Sequence, residues 1–201
     1  EEVDTRIIRN SKVFHVGSLS LTDEPARSAT MAALEAAKAA GCVMSYDPNY
    51  RSSLWPSAEV ASGHMRSIVG YMDLVKISCE ECELMCGTTD PQAAAQVLLD
   101  QGAKVVCVTL DADGAYVATK DGGATVPSFR VEAVDTTGAG DSFWGGFLCA
   151  FVDSRISPAD VTLEDAKGFA RFGNAVASLC VRSRGAIPSM PTLAEVEKVL
   201  G

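Results

Sequence analysis

Asp135 and Asp141 frame the segment whose residue types are best suited to chemistry. Two threonines and the small residues Gly138-Ala139-Gly140 stand between them, and an apolar helical pattern begins at the second acid. Because the small residues have almost no side chains, successive backbone N–H groups at the helix start can approach an anion closely. Asp141 falls in the first turn, where the positive helix end stabilises a carboxylate. The segment therefore predicts a phosphate cradle with a base beside it.

A tight turn followed by an N-cap aspartate is the simpler alternative for this segment. The spacing of the two acids, the double threonine and the pair Gly145-Gly146 in the following helix are more specific than an ordinary turn. Glycine costs about 1 kcal/mol in a helix interior, so the pair predicts close backbone packing that offsets the cost.

The elements that must position this segment alternate between short β-rich runs and longer runs of helical period, which is typical of βα units on a parallel sheet. We expect one compact domain over residues 1–201. The predicted strands are Lys12–Val16, Cys42–Tyr46, Leu74–Ile77, Val105–Thr109, Ala115–Thr119, Thr125–Pro127 and Arg130–Val134. The predicted helices are Pro25–Ala40, Ser57–Tyr71, Cys79–Cys86, Pro91–Gln101, Gly140–Phe151, Thr162–Val181 and Thr192–Leu200.

Composition excludes several classes of function. Of the 201 residues, 47% are hydrophobic and 21% charged, which is typical of a globular chain. A net charge of −9 argues against nucleic-acid binding, and the apolar runs are too short for a membrane span. Seven cysteines, an odd number, indicate reduced thiols and a cytoplasmic location.

The segment from Asp135 to Asp141 resembles the C-terminal signature D-T-x-G-A-G-D of the ribokinase-like, or PfkB, carbohydrate kinases. The resemblance implies a three-layer α/β/α fold with a mostly parallel central sheet. It also implies ATP-dependent phosphorylation of a sugar hydroxyl, with Asp141 as the base and the amides of Gly138, Ala139 and Gly140 as the anion hole. Both roles agree with the needs of phosphoryl transfer.

Two further segments resemble the fructokinase branch of this family. They are Phe14–Leu19 and Asp47-Pro48-Asn49-Tyr50-Arg51 with Leu54-Trp55. The second follows a predicted central strand, at the carboxyl end where open α/β sheets bind ligands. The resemblance implies that Asn49 and Arg51 bind the sugar beside Asp141. A solvated loop arginine is the alternative for Arg51.

The nucleotide side of the resemblance lies in the second half of the chain. Residues 109–114 resemble the family's T-L-G-x-x-G turn, which implies that Thr109 and Gly114 bind ATP together with Gly138 and Gly140. Asp111 stands where the family usually has glycine, and a carboxylate near the phosphates would weaken nucleotide binding unless it points to solvent or a metal. Asn174 lies on the helix that resembles the adenine-side helix.

The resemblance also implies two metal ions. Glu81 matches the glutamate of the N-x-x-E element, which organises Mg²⁺ through water, although Ser78 replaces the asparagine. The residues implied for a K⁺ site are Asp135, Thr137, Cys180, Ser183, Gly185 and Ser189. For the triplet Cys79, Cys82 and Cys86, a half-buried helix face is favoured over metal ligation.

The family's N-terminal sugar-binding region and its β-strand lid have no counterpart in this sequence, so we expect a longer native protein and a homodimer formed through that lid. The predicted function is fructokinase: D-fructose and ATP give fructose 6-phosphate and ADP. A kinase of 2-keto-3-deoxygluconate or another sugar is the alternative in the same class. A catalytically degenerate, kinase-like binding subunit is the alternative of another class.

Overall fold

The computed structural model describes residues 3–201, in which six strands form a mostly parallel sheet. In chain order they are β1 (Val13–Val16), β2 (Val43–Tyr46), β3 (Leu74–Ser78), β4 (Val105–Thr109), β5 (Ala115–Thr119) and β6 (Gly122–Val126). The sheet follows the same order, β1-β2-β3-β4-β5-β6. β1 pairs with β2, and β2 with β3, in parallel, whereas β5 and β6 form an antiparallel hairpin.

The described part of the chain contains eight α-helices, one before β1 and seven between or after the strands. They are α1 (Thr5–Arg9), α2 (Ala26–Ala39), α3 (Ala58–Ser67), α4 (Cys82–Cys86), α5 (Pro91–Asp100), α6 (Ala139–Ser154), α7 (Leu163–Cys180) and α8 (Leu193–Leu200). A 3₁₀ turn, Val69–Tyr71, completes the segment predicted as one helix over 57–71, and another, Cys79–Glu81, precedes α4. Among residues 3–201, none of the helices is long and apolar enough to cross a bilayer.

The chain divides into two compact units, the first ending at Val106 and the second beginning at Cys107. In the first unit, the apolar residues of β3 are fully buried, as expected for a strand covered on both faces. The alanine-rich α2 buries Leu34 and Ala37 completely. Gly41 follows α2 with a φ of 74°, a left-handed conformation that suits glycine at a helix end.

Close packing of α6 on α7 forms the centre of the second unit. A Cβ on Gly173 would lie 2.6 Å from the backbone oxygen of Phe143, and one on Gly146 would lie 2.8 Å from Cγ2 of Val176. The close approach predicted from the glycine pair is thus confirmed for Gly146. It is wrong for Gly145, which is exposed and has nothing within 4 Å of a Cβ.

The strand predicted over Arg130–Val134 does not form, because its residues find a different partner. The segment is irregular, and at its end the backbone N–H groups of Val134 and Asp135 both donate to the carbonyl of Val181 (2.8 and 3.2 Å). Alternating apolar residues were therefore misleading here. The chain is held by the carbonyl of the residue that follows α7 and pairs with no neighbouring strand.

Candidate active site

The N-terminus of α6 begins at a position where the structure has room only for a glycine. Gly138 is the N-cap with a φ of 79°, and a Cβ there would lie 2.5 Å from the Cβ of Ala186. The N–H of Ala139 donates to the carbonyl of Thr136 (3.1 Å). First-turn amides of a helix have no intrahelical acceptor, so this end of a 16-residue helix is suited to bind an anion.

Asp141 lies in the first turn of α6 and its side chain is exposed. The next residue, Ser142, is buried and points inward, where its hydroxyl donates to the carbonyl of Ala139 (2.9 Å). The carboxylate therefore stands at the positive end of the helix with access to a ligand, as the sequence predicts.

Asp135 connects the loop before α6 (residues 135–138) to the segment that follows α7. Its carboxylate accepts hydrogen bonds from the N–H of Thr137 (2.9 Å) and the N–H of Gly185 (2.9 Å). The hydrogen bonds from Thr137, and then that from Gly185, lower the pKa of Asp135 to about 2. Three of the residues predicted to hold a monovalent cation are thus brought together around one carboxylate.

The other predicted cation ligands lie in the segment 180–189, which folds back on itself. The Ser189 hydroxyl donates to the carbonyl of Arg184 (3.0 Å), and the N–H of Ser183 donates to that of Cys180 (3.4 Å). Carbonyl oxygens with one carboxylate are a donor set that suits a hard cation. The residues present fit a monovalent cation.

The predicted nucleotide turn follows β4. The N–H of Leu110 donates to the carbonyl of Gly114 (2.8 Å), which closes the turn that Thr109 precedes. Gly114 has a φ of 104°, and a Cβ there would collide with the backbone of Val126. Asp111 has a φ of 51° and is exposed. Because this left-handed conformation suits glycine and is tolerated by aspartate, the structure explains how Asp111 can occupy the family's glycine position.

Asn174, predicted to bind ATP, is buried, and its side-chain amide is bound to backbone carbonyls. It is 3% exposed, and its Nδ2 donates to the carbonyls of Val126 (3.1 Å) and Pro127 (3.2 Å). The side-chain amide thus ties α7 to the end of β6. Contact between Asn174 and ATP stays a prediction.

In the first unit, the structure shows a buried ion pair that sequence reasoning missed. Lys76 Nζ lies 2.8 Å from Asp47 Oδ2, and their side chains are 7% and 3% exposed. Lys76 lies in the middle of β3, and Asp47 directly follows β2. The available signal was the lysine itself, because a lysine inside a continuous apolar strand is rarely buried without a partner.

Glu81 is buried, and both of its carboxylate oxygens accept hydrogen bonds from backbone amides. Oε1 accepts from the N–H of Tyr50 (2.7 Å) and Oε2 from that of Ser78 (2.8 Å). Within residues 3–201, no three His, Cys, Asp or Glu side chains converge as metal ligands. This fits Mg²⁺ only if the ion is held mainly by phosphates and water, which is its common mode of binding.

The two predicted sugar-binding residues flank Tyr50, whose N–H donates to Glu81. Asn49 is half-buried with a φ of 51°, and its N–H donates to Asp47 Oδ1 (3.2 Å). Arg51 is exposed, and its Nη1 donates to the carbonyl of Tyr50 (2.9 Å). One N–H donor of the guanidinium is therefore bound to the backbone.

Cys82 and Cys86 have the character of buried thiols. Burial is the main cause that raises the pKa of Cys82 to about 12 and that of Cys86 to about 11. A thiol must lose its proton to ligate a metal, so these values favour packing of the α4 face over metal binding.

Comparison with known proteins shows what this arrangement is similar to. The sequence model of the pfkB family carbohydrate kinases matches residues 1–193. The chain belongs to this family. It is 42% identical over 205 residues to a probable fructokinase-4 of Arabidopsis thaliana, covering 100% of this chain and 61% of that protein. Fructokinase-2 of Solanum habrochaites is also 42% identical, with 99% and 60% covered. The chain thus spans about three fifths of the length of these relatives.

Solved structures of fructokinases have a fold similar to that of this chain. A fructokinase of Xylella fastidiosa with bound ATP is 32% identical, with a TM-score of 0.87 over 98% of this chain and 63% of that one. A Vibrio cholerae fructokinase with fructose, ADP and calcium bound is 32% identical, with a TM-score of 0.86 over 99% and 65%. The predicted ribokinase-like three-layer α/β/α fold of this PfkB chain is confirmed.

Proposed function

We propose that the chain forms the C-terminal portion of a ribokinase-like kinase domain that transfers a phosphoryl group from ATP to the primary hydroxyl of a ketose, giving fructose 6-phosphate and ADP from D-fructose. The observation that carries this proposal is the start of α6, where a glycine-built helix end and an exposed Asp141 stand together. The fructokinases among the relatives support the choice of sugar.

Each residue of the loop has a defined task in this proposal. Asp141 accepts the proton of the sugar hydroxyl while the oxygen of that hydroxyl forms a bond to the transferred phosphorus. The N–H groups of Gly138 and Gly140, joined by that of Ala139 when it exchanges the carbonyl of Thr136 for the ligand, stabilise the charge on the phosphoryl oxygens, which is the main requirement of such a transfer. ATP, when bound, supplies the phosphoryl group and leaves as ADP. Thr109 and Gly114 bind its phosphate side, and Asn174 belongs to the adenine side.

Two ions complete the proposal. Glu81 organises Mg²⁺ through water, and Asp135 with Thr137 and the segment 180–189 holds K⁺. Support for the K⁺ site comes from the carboxylate of Asp135, whose hydrogen bonds gather the loop and Gly185. Formation of a homodimer through a lid and a cytoplasmic location stay predictions.

A coupled ADP-release assay on the full-length protein over a sugar panel tests the proposal. Arg51 supplies the cationic side chain of the segment 47–51 that is predicted to bind the sugar. The carboxylate of a sugar acid would need a further cationic partner, because burying it without one is costly. We therefore expect kcat/KM for fructose to exceed that for ribose and for 2-keto-3-deoxygluconate. A preference for the sugar acid would favour the alternative kinase, whereas no turnover with any sugar would favour a binding subunit.

The cation site has a separate test. Replacing K⁺ by Na⁺ at constant ionic strength should lower the rate of fructose phosphorylation, because the smaller ion does not satisfy the same ring of oxygens. Equal rates in the two salts would remove the monovalent cation from the proposal.

A further inference from the structure

The segment 47–51 is held by two buried carboxylates. Asp47 Oδ1 accepts a hydrogen bond from the N–H of Asn49 (3.2 Å), and Glu81 Oε1 accepts one from the N–H of Tyr50 (2.7 Å). Asp47 and Glu81 are 3% and 6% exposed. Hydrogen bonds to ionised acceptors are stronger than neutral ones, so consecutive amides of this segment are firmly placed.

Both carboxylates are themselves fixed to β3. Asp47 Oδ2 lies 2.8 Å from Lys76 Nζ, and Glu81 Oε2 accepts from the N–H of Ser78 (2.8 Å). Each acid therefore uses one oxygen on the strand and the other on the segment. This arrangement sustains the left-handed φ of 51° at Asn49, a conformation that costs free energy in residues other than glycine.

A short chain of contacts runs from Glu81 to the guanidinium of Arg51. Glu81 holds the N–H of Tyr50, and Arg51 Nη1 donates to the carbonyl of the same Tyr50 (2.9 Å). The backbone of one residue thus separates the buried carboxylate from an exposed cation. A displacement of Tyr50 would move the donors that Arg51 offers.

We propose that Glu81 is a positioning residue for sugar binding, which it serves by fixing Asn49 and Arg51 through the backbone of Tyr50. This inference rests on the proposed function and extends it. Both Glu81 oxygens are already engaged with amides of the chain. Loss of Glu81 should therefore weaken binding of the sugar more than it changes the requirement for Mg²⁺.

Kinetics of three variants separate this role from a metal role. Glu81→Leu removes both acceptors, and Glu81→Gln keeps one carbonyl oxygen, so it should fold even if the leucine variant does not. Glu80→Gln makes the same charge change at an exposed neighbour and serves as the matched control. We expect the KM for fructose to rise about tenfold in Glu81→Gln, the effect of losing one charged hydrogen bond. The Mg²⁺ concentration for half-maximal rate should change less than the KM for fructose in Glu81→Gln, and both values should stay near wild type in Glu80→Gln.

Amide hydrogen exchange supplies a readout that does not depend on activity. Exchange in peptides covering 49–54 should be faster in Glu81→Gln than in wild type, and unchanged in Glu80→Gln. A shifted Mg²⁺ requirement with an unchanged fructose KM, or unaltered exchange in Glu81→Gln, would overturn the inference. Wild-type protein that phosphorylates no sugar would refute the proposed function, while the exchange result would still show whether Glu81 fixes the segment.

Discussion

The loop before α6 (residues 135–138) and the acid–lysine cluster of Asp47, Lys76 and Glu81 are built from different chemical groups and serve different purposes. The loop is built from backbone: Gly138 has a φ of 79°, and the carboxylate of Asp141 beside it is exposed. The cluster is built from side chains that are nearly inaccessible to water. Backbone amides can be offered to a ligand without a large desolvation cost, whereas a buried charge must be satisfied by an opposite charge, as in the Asp47–Lys76 pair, or by hydrogen bonds, as in Glu81.

This difference predicts opposite responses to mutation. Removing Lys76 takes the opposite charge away from the buried Asp47, so the free energy of unfolding should fall. Removing the exposed acid of the loop leaves the core intact, so the rate of reaction should fall instead. Four variants test this contrast, taken from the largest to the smallest expected change in the free energy of unfolding or of activation.

Lys76→Met should cost the most, about 3–5 kcal/mol of the free energy of unfolding, because it removes the cationic partner of the buried Asp47 carboxylate. The double variant with Asp47→Asn should be less destabilised, since asparagine is neutral and retains an oxygen for the N–H of Asn49. Urea unfolding followed by circular dichroism measures both.

The matched control is Lys167→Met on α7. Lys167 Nζ lies 2.7 Å from Glu164, as short as the buried pair, but the two side chains are 38% and 79% exposed. Exposed pairs contribute about 0–1 kcal/mol. Equal losses in Lys76→Met and Lys167→Met would mean that burial does not distinguish the cluster.

Asp141→Asn should lower kcat at least ~10²-fold, the scale of a positioned acid–base residue, which corresponds to about 2.7 kcal/mol of barrier. Its urea midpoint should stay near wild type because the side chain is exposed. Steady-state kinetics with fructose measure the change in kcat, and a urea unfolding curve of the same variant measures its midpoint. Unchanged turnover would remove Asp141 from the role of base.

The same contrast explains what the sequence could and could not predict. The loop requires small residues at adjacent positions and an acid in the next turn, so it is visible in seven consecutive residues, Asp135 to Asp141. The cluster joins residues from three segments, and its members are ordinary aspartate, lysine and glutamate. Five of the seven predicted strands and four of the seven predicted helices have both ends within two residues of the observed ends, since hydrophobic periodicity records burial. The false strand over 130–134 shows that periodicity does not record which partner a backbone finds.

Gly138→Ala tests whether the loop is limited by its backbone. Alanine must adopt the φ of 79° and meet the Cβ of Ala186 at 2.5 Å, so we expect a loss of about 1–3 kcal/mol. Gly145→Ala is the control, because this glycine lies in α6 with open space around it, and alanine there should stabilise by about 0.5–1 kcal/mol. Thermal or urea unfolding would show opposite signs, and two changes of the same sign would argue against a conformational requirement at Gly138.

Asp135→Asn should have the smallest effect, and its pH dependence identifies the cause. The hydrogen bonds from Thr137 and Gly185 lower the pKa of Asp135 from the usual 3.8 to about 2. A carboxyl whose pKa is lower in the folded than in the unfolded protein stabilises the fold above the unfolded value, and this contribution is lost as the pH falls through the folded value. The difference in free energy of unfolding between wild type and Asp135→Asn should therefore be largest near neutral pH and shrink between about pH 4 and pH 2. Asp121→Asn, an exposed aspartate in the turn between β5 and β6, is the charge-matched control. A difference between wild type and Asp135→Asn that stays constant over this pH range would mean that the carboxylate of Asp135 is not what joins the loop to Gly185.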